Sequence, residues 1–521
     1  MNRRQALAAG LSALPLAACG SAAVSGRRDA RTLTIAIPTD PAGIEPAANL
    51  AEVVGSEIIL NLFDTLTAWT SDAAPRLVPR LATGWQILPD GLGWRFTLRP
   101  GVRFHDNTLL DAAAVRFAIA RTIAANSYFR ATMAPLRRIE TPDAGTVVFH
   151  LDHPVPFFPA LLAQPQAAIV SPAAVASLGK GFARAPVGTG PFRFLSREDD
   201  VAVRLAAFPG HFRGRPWLDR LDYQVISAPS TRRMMLENGE IDLCHQAAQL
   251  AALAVEDVAA FRHNPAVRVI EAPSQILRQL EFNNRLDHGP TTDPRVRTAI
   301  AHAVDADGLA TRILAGTVDR AWGPLPGANW AFDPAQPARA PAYDPALARR
   351  LLADAGYAPG TLSLDLITFT GSLWTTVATF LQANLAAVGI GVTIAQMEFP
   401  ALRARHTAGQ FAMALDGRSP WFNDPAAHLT TGYLSTLATS AMTFRMPPDA
   451  ALDRQIIAAE SASPDSQRHA LYDQLQATIS ARVPAVYLFT SRIIAFASAR
   501  VQNLQLGGTP PLTQYWQVRK A

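Results

Sequence analysis

Lysine is nearly absent from this chain. Lys180 and Lys520 are the only two, so arginine supplies almost all of the 47 basic residues. Against 42 acidic residues the formal charge is +5, and setting aside Arg3 and Arg4 of the leader described below leaves 45 against 42, or +3. This weak charge is dispersed, with no basic run interleaved with aromatics, which excludes nucleic acid as a partner. Cysteine is equally scarce. With only Cys19 and Cys244 present, acylation of the first leaves a single thiol and no internal disulfide. Beyond the N-terminal leader no segment is apolar enough to span a bilayer. The chain also lacks G-x-S-x-G, H-E-x-x-H and any histidine context around Cys244, so no enzyme is expected and no cofactor or metal site is read.

What is present is a long, apolar chain. Its 521 residues at 49% hydrophobic content supply several cores, and two or three domains follow. The chain opens Met1-Asn2-Arg3-Arg4, continues through an apolar run from Ala6 to Ala18 and reaches Cys19-Gly20. That layout is a signal peptide over residues 1–18, with a basic start, a short apolar centre and small residues before the cut. Residues 19–30 are small, polar and basic, as a flexible tether would be.

Alternation predicts strands at Thr32–Ile37, Trp94–Arg99 and Thr146–Leu151. A turn at Pro100-Gly101 followed by Val102-Arg103-Phe104 suggests a two-stranded element. Asp111 should then cap a helix through the amides of Ala113 and Ala114. Asp293-Pro294 and Asp344-Pro345 open two further helices by the same chemistry, and Ser230 begins a capped helix that ends at Gly239. Later, Leu362–Thr368, Thr375–Val388 and Val392–Gln396 read as a βαβ unit.

Several of these stretches resemble a known family when taken together. Leu62-Phe63-Asp64-Thr65-Leu66, Leu81-Ala82-Thr83-Gly84-Trp85, the run Phe96 to Asp106, Pro186-Val187-Gly188-Thr189-Gly190-Pro191, and the helix from Asp293 to Ile300 resemble signatures of the family 5 extracytoplasmic solute-binding proteins of ABC importers. Leu16-Ala17-Ala18-Cys19 resembles a lipobox, which implies acylation of Cys19. The resemblance covers essentially the whole mature chain. It implies an α/β, periplasmic binding protein-like fold of two lobes with an additional third domain and a hinged cleft. Domain I would be built from 31–63, 172–273 and 489–521, domain II from 64–171 and domain III from 274–488.

The function implied is capture of a peptide or peptide-like small solute by a monomer in the periplasm or cell envelope, held by an N-terminal lipid and serving an ABC permease and ATPase. A nickel-chelate or other amine-free solute, or a sensor partner, is the alternative on the same fold. By resemblance the ligand-facing positions are Val53 and Val54, Gln166, and Arg418, Trp421, Phe422 and Asn423. Peptide binders of the family carry an Asp at the position of Trp421, which pairs with the ligand's amino group, and nickel-chelate binders an Arg near Gln166. Neither is here, so an aromatic and neutral polar lining is expected.

Overall fold

The computed structural model describes residues 30–521 except 50–51, 72–74, 246–254, 286–288, 421, 438–446, 463–464 and 508–511. The leader, Cys19 and the tether before residue 30 lie outside the described residues, as does Trp421. Three sheets carry the architecture.

The first sheet has seven strands, in spatial order Val267–Ala272, Ile493–Ser498, Leu243–His245, Thr32–Ile37, Arg220–Val225, Ala202–Ala207 and Phe192–Glu198. Thr32–Ile37 lies in the middle, parallel to both neighbours. Its alternation sends Leu33, Ile35 and Ile37 into one buried cluster and Ala36 into another, so the sheet is covered on both faces. The second sheet has four antiparallel strands, in the order Ala82–Ile87, Gly93–Leu98, Thr146–Leu151 and Leu136–Asp143. Here the two-stranded expectation fails. Gly93–Leu98 pairs with both neighbours in this sheet, whereas Arg103 makes only an isolated bridge to Leu109. Gly101, at φ +73°, turns the chain out of the sheet and lets Val102 and Phe104 drop into the core.

Helix starts follow the residues expected for them, with two adjustments. Asp111 accepts from the amide of Ala114 at 2.8 Å but not from that of Ala113. The helix Pro229–Glu237 has no side-chain cap; Pro229 takes its first turn and Ser230 falls inside it. Two of the sequence signatures pack directly on one another. Thr189 Oγ1 donates to Asp64 Oδ2 at 3.1 Å and accepts from the Asp64 amide at 3.2 Å. A Cβ on Gly188 would lie 2.3 Å from the Phe63 ring, and one on Gly190 2.4 Å from the Leu62 backbone. The glycines there allow close approach of two chain segments, not the cradling of a phosphate.

The third sheet has six strands, in the order Val318–Arg320, Ala485–Ser491, Leu277–Phe282, Met413–Arg418, Leu362–Phe369 and Ile390–Met397. The last two are parallel and joined by the helix Ser372–Ala386, as the βαβ pattern requires. One continuous buried cluster runs through both of the first two sheets, while the third packs around separate clusters. Two lobes result, the first holding two sheets and the second holding one.

Candidate ligand cleft

The chain crosses between the lobes at residues 273–276 and 491–493, and the two crossings are tied together. Ser274 Oγ donates to the Ser491 carbonyl, the Ser491 amide donates to the Ile276 carbonyl at 3.0 Å, and the Ile276 amide donates to Ser274 Oγ at 3.1 Å. Arg492 straddles the junction. Its guanidinium contacts Glu271 of the first lobe at 3.1 Å and Asp319 of the second at 2.6 Å. Two short connections tied side by side in this way are the arrangement on which hinge closure of lobes relies.

On the first-lobe side, helix Val53–Leu62 begins at a loop fixed by its own side chains. Glu52 caps it, accepting from Val54 N and Gly55 N at 2.7 Å each, and burial raises the Glu52 carboxyl above its usual range. Val53 is half-buried and Val54 buried. Gln166 sits in the short turn Pro165–Ala167, fully buried, and its Nε2 donates to Asn49 Oδ1 at 3.2 Å. Asn126 Nδ2 donates to the Asn49 carbonyl at 2.6 Å. Through Asn49, the helix-start loop and the Gln166 turn become one polar wall. Gln166 Oε1 is buried with no partner among the described residues.

On the second-lobe side, Arg418 ends the strand Met413–Arg418, and its Nη1 donates to Thr431 Oγ1 at 3.0 Å. Burial holds its pKa below the usual arginine range. Phe422 lies flat on Phe157 of the first lobe, with centroids 5.6 Å apart and planes 5° from parallel. Asn423 Oδ1 accepts from Gln275 Nε2, and Gln275 Oε1 accepts from Asn329 Nδ2 at 2.7 Å. Asn423 Nδ2 also reaches the Pro75 carbonyl across the cleft at 3.5 Å. Behind this loop Asp424 takes both oxygens to Arg468 Nη2, at 3.0 and 2.9 Å. Burial opposes the Arg468 cation, but Asp424 more than offsets it, so its pKa lies above the usual value.

Val53, Val54 and Gln166 thus lie in the first lobe, the last tied to the helix-start loop through Asn49, and Arg418, Phe422 and Asn423 lie in the second, where Phe422 and Asn423 touch the first lobe. Phe157, Gln275, Asn329 and Arg468 also shape this region and were not singled out from sequence. Arg468 sits in an ordinary helical stretch, and only the fold brings it to Asp424.

Glu281, His406 and Asp416 place donor atoms within 4.8 Å of one another in the second lobe. They do not fit a metal. Arg403 already contacts Asp416 at 2.7 Å, and the charges of Arg278 and Arg418 act on the same carboxylates, so a cation there would face three guanidiniums.

Comparison with known proteins agrees with this architecture. Residues 76–440 match the bacterial extracellular solute-binding proteins, family 5 Middle. The chain is 32% identical over 501 residues to di/tripeptide-binding protein 2 of Pseudomonas aeruginosa, covering 91% of this chain and 92% of that one. It is 28% identical to the glutathione-binding protein GsiB of Pectobacterium atrosepticum, covering 96% and 95%. Among solved structures it resembles the ABC transporter-associated periplasmic binding protein DppA of Helicobacter pylori in complex with the peptide STSA, with a TM-score of 0.79 and 26% identity over 94% of this chain and 98% of that one. Two lobes, a doubly crossed hinge and a polar cleft therefore belong to a member of the family 5 bacterial extracellular solute-binding proteins.

Proposed function

We propose that this protein is the substrate-binding component of an ABC importer, taking a peptide or peptide-like small solute into the interlobe cleft and delivering it to a membrane permease and its ATPase. The observation that carries this reading is the 32% identity to a di/tripeptide-binding protein over nine-tenths of both chains. The protein performs no chemistry on its solute. It works as a monomer in the periplasm or cell envelope, anchored by a lipid on Cys19. Its domains are 31–63 with 172–273 and 489–521, then 64–171, then 274–488, each built around one of the three sheets. In this reading Val53, Val54, Gln166, Arg418, Trp421, Phe422 and Asn423 line the ligand.

The chemistry of that lining narrows the solute. A buried acceptor such as Gln166 Oε1 is costly unless something donates to it, and an amide or amine N–H of the solute would do so. With Trp421 where relatives carry a carboxylate, the ligand's amino group meets no fixed negative charge at that position. Calorimetric titration with di- and tripeptides and their N-acetylated forms tests this. Acetylation is expected to change Kd by less than about tenfold, since no ion pair is lost. If neither form binds, the peptide reading is wrong; if acetylation costs more than about a hundredfold, the chain has another carboxylate for the amine.

A further inference from the structure

Away from the cleft, the first lobe carries a surface depression of about 320 Å³ lined by Arg215, Trp217, Asn503, Gln505, Trp516 and Arg519. Two arginine–tryptophan stacks lie at it. The Arg519 guanidinium is 3.5 Å from the Trp217 ring centroid, and that of Arg213 is 3.9 Å from the Trp516 centroid. Trp217 is 55% exposed, an uncommon position for a large apolar ring.

The position of Arg31, twelve residues after Cys19, is the second observation. Arg31 Nη2 donates to the Trp217 carbonyl at 3.0 Å, and the Arg31 carbonyl accepts from the Asp219 amide at 2.7 Å. Arg31 therefore lies at the edge of this patch. Cys19 precedes Arg31 by twelve residues, a reach of about 40 Å when fully extended, and Arg27 and Arg28 lie within that segment. Charge at the patch is net positive. Arg31, Arg213, Arg215 and Arg519 stand against Asp219, which pairs with both Arg31 and Arg215.

We propose that this face docks on the headgroups of an anionic phospholipid bilayer, with Trp217 and Trp516 at the interface and Arg213 and Arg519 on the phosphates. The inference rests on the reading of Cys19 as acylated. Tryptophan favours the membrane–water boundary because its ring is apolar and its N–H polar, and arginines near an anionic leaflet add attraction within a Debye length. The lipid on Cys19 holds the chain at the membrane without setting its orientation, and a basic patch beside the tether supplies a second contact that does. Docking by this face fixes the orientation of the first lobe toward the membrane, where a freely swinging tether would leave it undefined.

The test uses the acylated mature chain on vesicles containing about a third phosphatidylglycerol, with brominated phospholipid as a quencher of tryptophan fluorescence. A quenched component that disappears in Trp217→Phe is expected. Arg213→Glu with Arg519→Glu should lower the docked-to-undocked ratio by about thirtyfold or more, and uncharged phosphatidylcholine vesicles should do the same while the chain stays attached. Peptide affinity should not change, because these residues are remote from the cleft. A vesicle-bound chain whose Trp217 is never quenched, or is quenched equally on uncharged lipid, overturns the proposal and leaves the anchor intact. Quenching that appears only when the permease is reconstituted alongside would assign the face to a protein partner instead. An intact mass without acyl chains would show that the anchor reading itself had failed, and the proposal with it.

Discussion

The central sheets of the two lobes are built by opposite rules. In the first lobe, Ile493, Ala495 and Ala497 face one apolar cluster and Ile494 and Phe496 face another, so the sheet is dry on both sides. In the second lobe, Leu280, Phe282, Leu415 and Leu488 face an apolar core, but Gln279, Glu281, Asp416 and Tyr487 bury polar groups on the other side. Register explains the segregation. Gln279 lies opposite Asp416 and Tyr487, and Glu281 opposite Ala414 and Ala485, so alternation puts the polar members on one face. Tyr433 adds its hydroxyl to that of Tyr487 at 2.8 Å. Apolar burial adds stability in rough proportion to area, whereas buried charge is held only while every partner stays in place. The sheet of the first lobe should therefore respond chiefly to lost volume, that of the second to lost partners and to pH.

The largest expected effect tests the dependence on partners. Arg468→Ala leaves the Asp424 carboxylate buried without its guanidinium and should destabilise the protein by about 3–5 kcal/mol in urea unfolding. Removing both partners together, as Arg468→Met with Asp424→Asn, should cost clearly less than the single change. Equal losses in the two proteins would mean that ordinary packing, not the uncompensated charge, sets the cost.

Of similar size is a pH effect in the second lobe. Burial, with the Asp416 carboxylate beside it, pushes Glu281 from 4.5 up to about 8. Between those values the unfolded chain has released this proton and the folded chain still holds it. Stability from this group is therefore fully present below pH 4.5 and is lost as pH rises toward 8, by about 1.4 kcal/mol per pH unit. Burial lowers His406 to about 4, and this acts oppositely by weakening the fold as pH falls below 6.5. The useful quantity is thus the difference between the native protein and Glu281→Gln, followed by thermal unfolding from pH 4.5 to 8. A difference that does not change across that window would refute the buried neutral carboxyl.

A smaller effect belongs to the hinge. Arg492 is partly exposed, so each of its ion pairs is screened and Arg492→Ala should cost no more than about 1 kcal/mol of stability. Its influence should fall on the balance of open and closed lobes, seen as a change of less than about fivefold in peptide affinity and a shift in small-angle scattering. An unfolded variant would show that Arg492 supports the lobes themselves, not their relation.

Much of the fold was legible because local chemistry and tertiary structure agree. Asp293-Pro294 and Asp344-Pro345 start helices wherever they fall, and the alternation of Thr32–Ile37 marks a strand, though not that the sheet around it is covered on both faces. The element at Val102–Phe104 was misread because its extended pattern serves burial beneath a turn, not pairing. At the cleft, resemblance brought out the loop from Asn49 to Val54, Gln166 and the Arg418–Asn423 segment, but not Gln275 or Arg468. Those act through partners 148 and 44 residues away, and no local pattern records such a pairing. Lys520 shows the same limit: one of only two lysines, it lies buried, with Nζ donating to Asp242 Oδ2 at 2.7 Å and to the Thr32 carbonyl at 3.0 Å.

The most direct test of the central claim is native mass spectrometry of the mature protein purified from its own host, followed by denaturation and identification of whatever is released. The account predicts one small peptide or peptide-like compound per chain. Release of a metal chelate or an amide-free solute would contradict the peptide assignment, even though the same two-lobed fold held it.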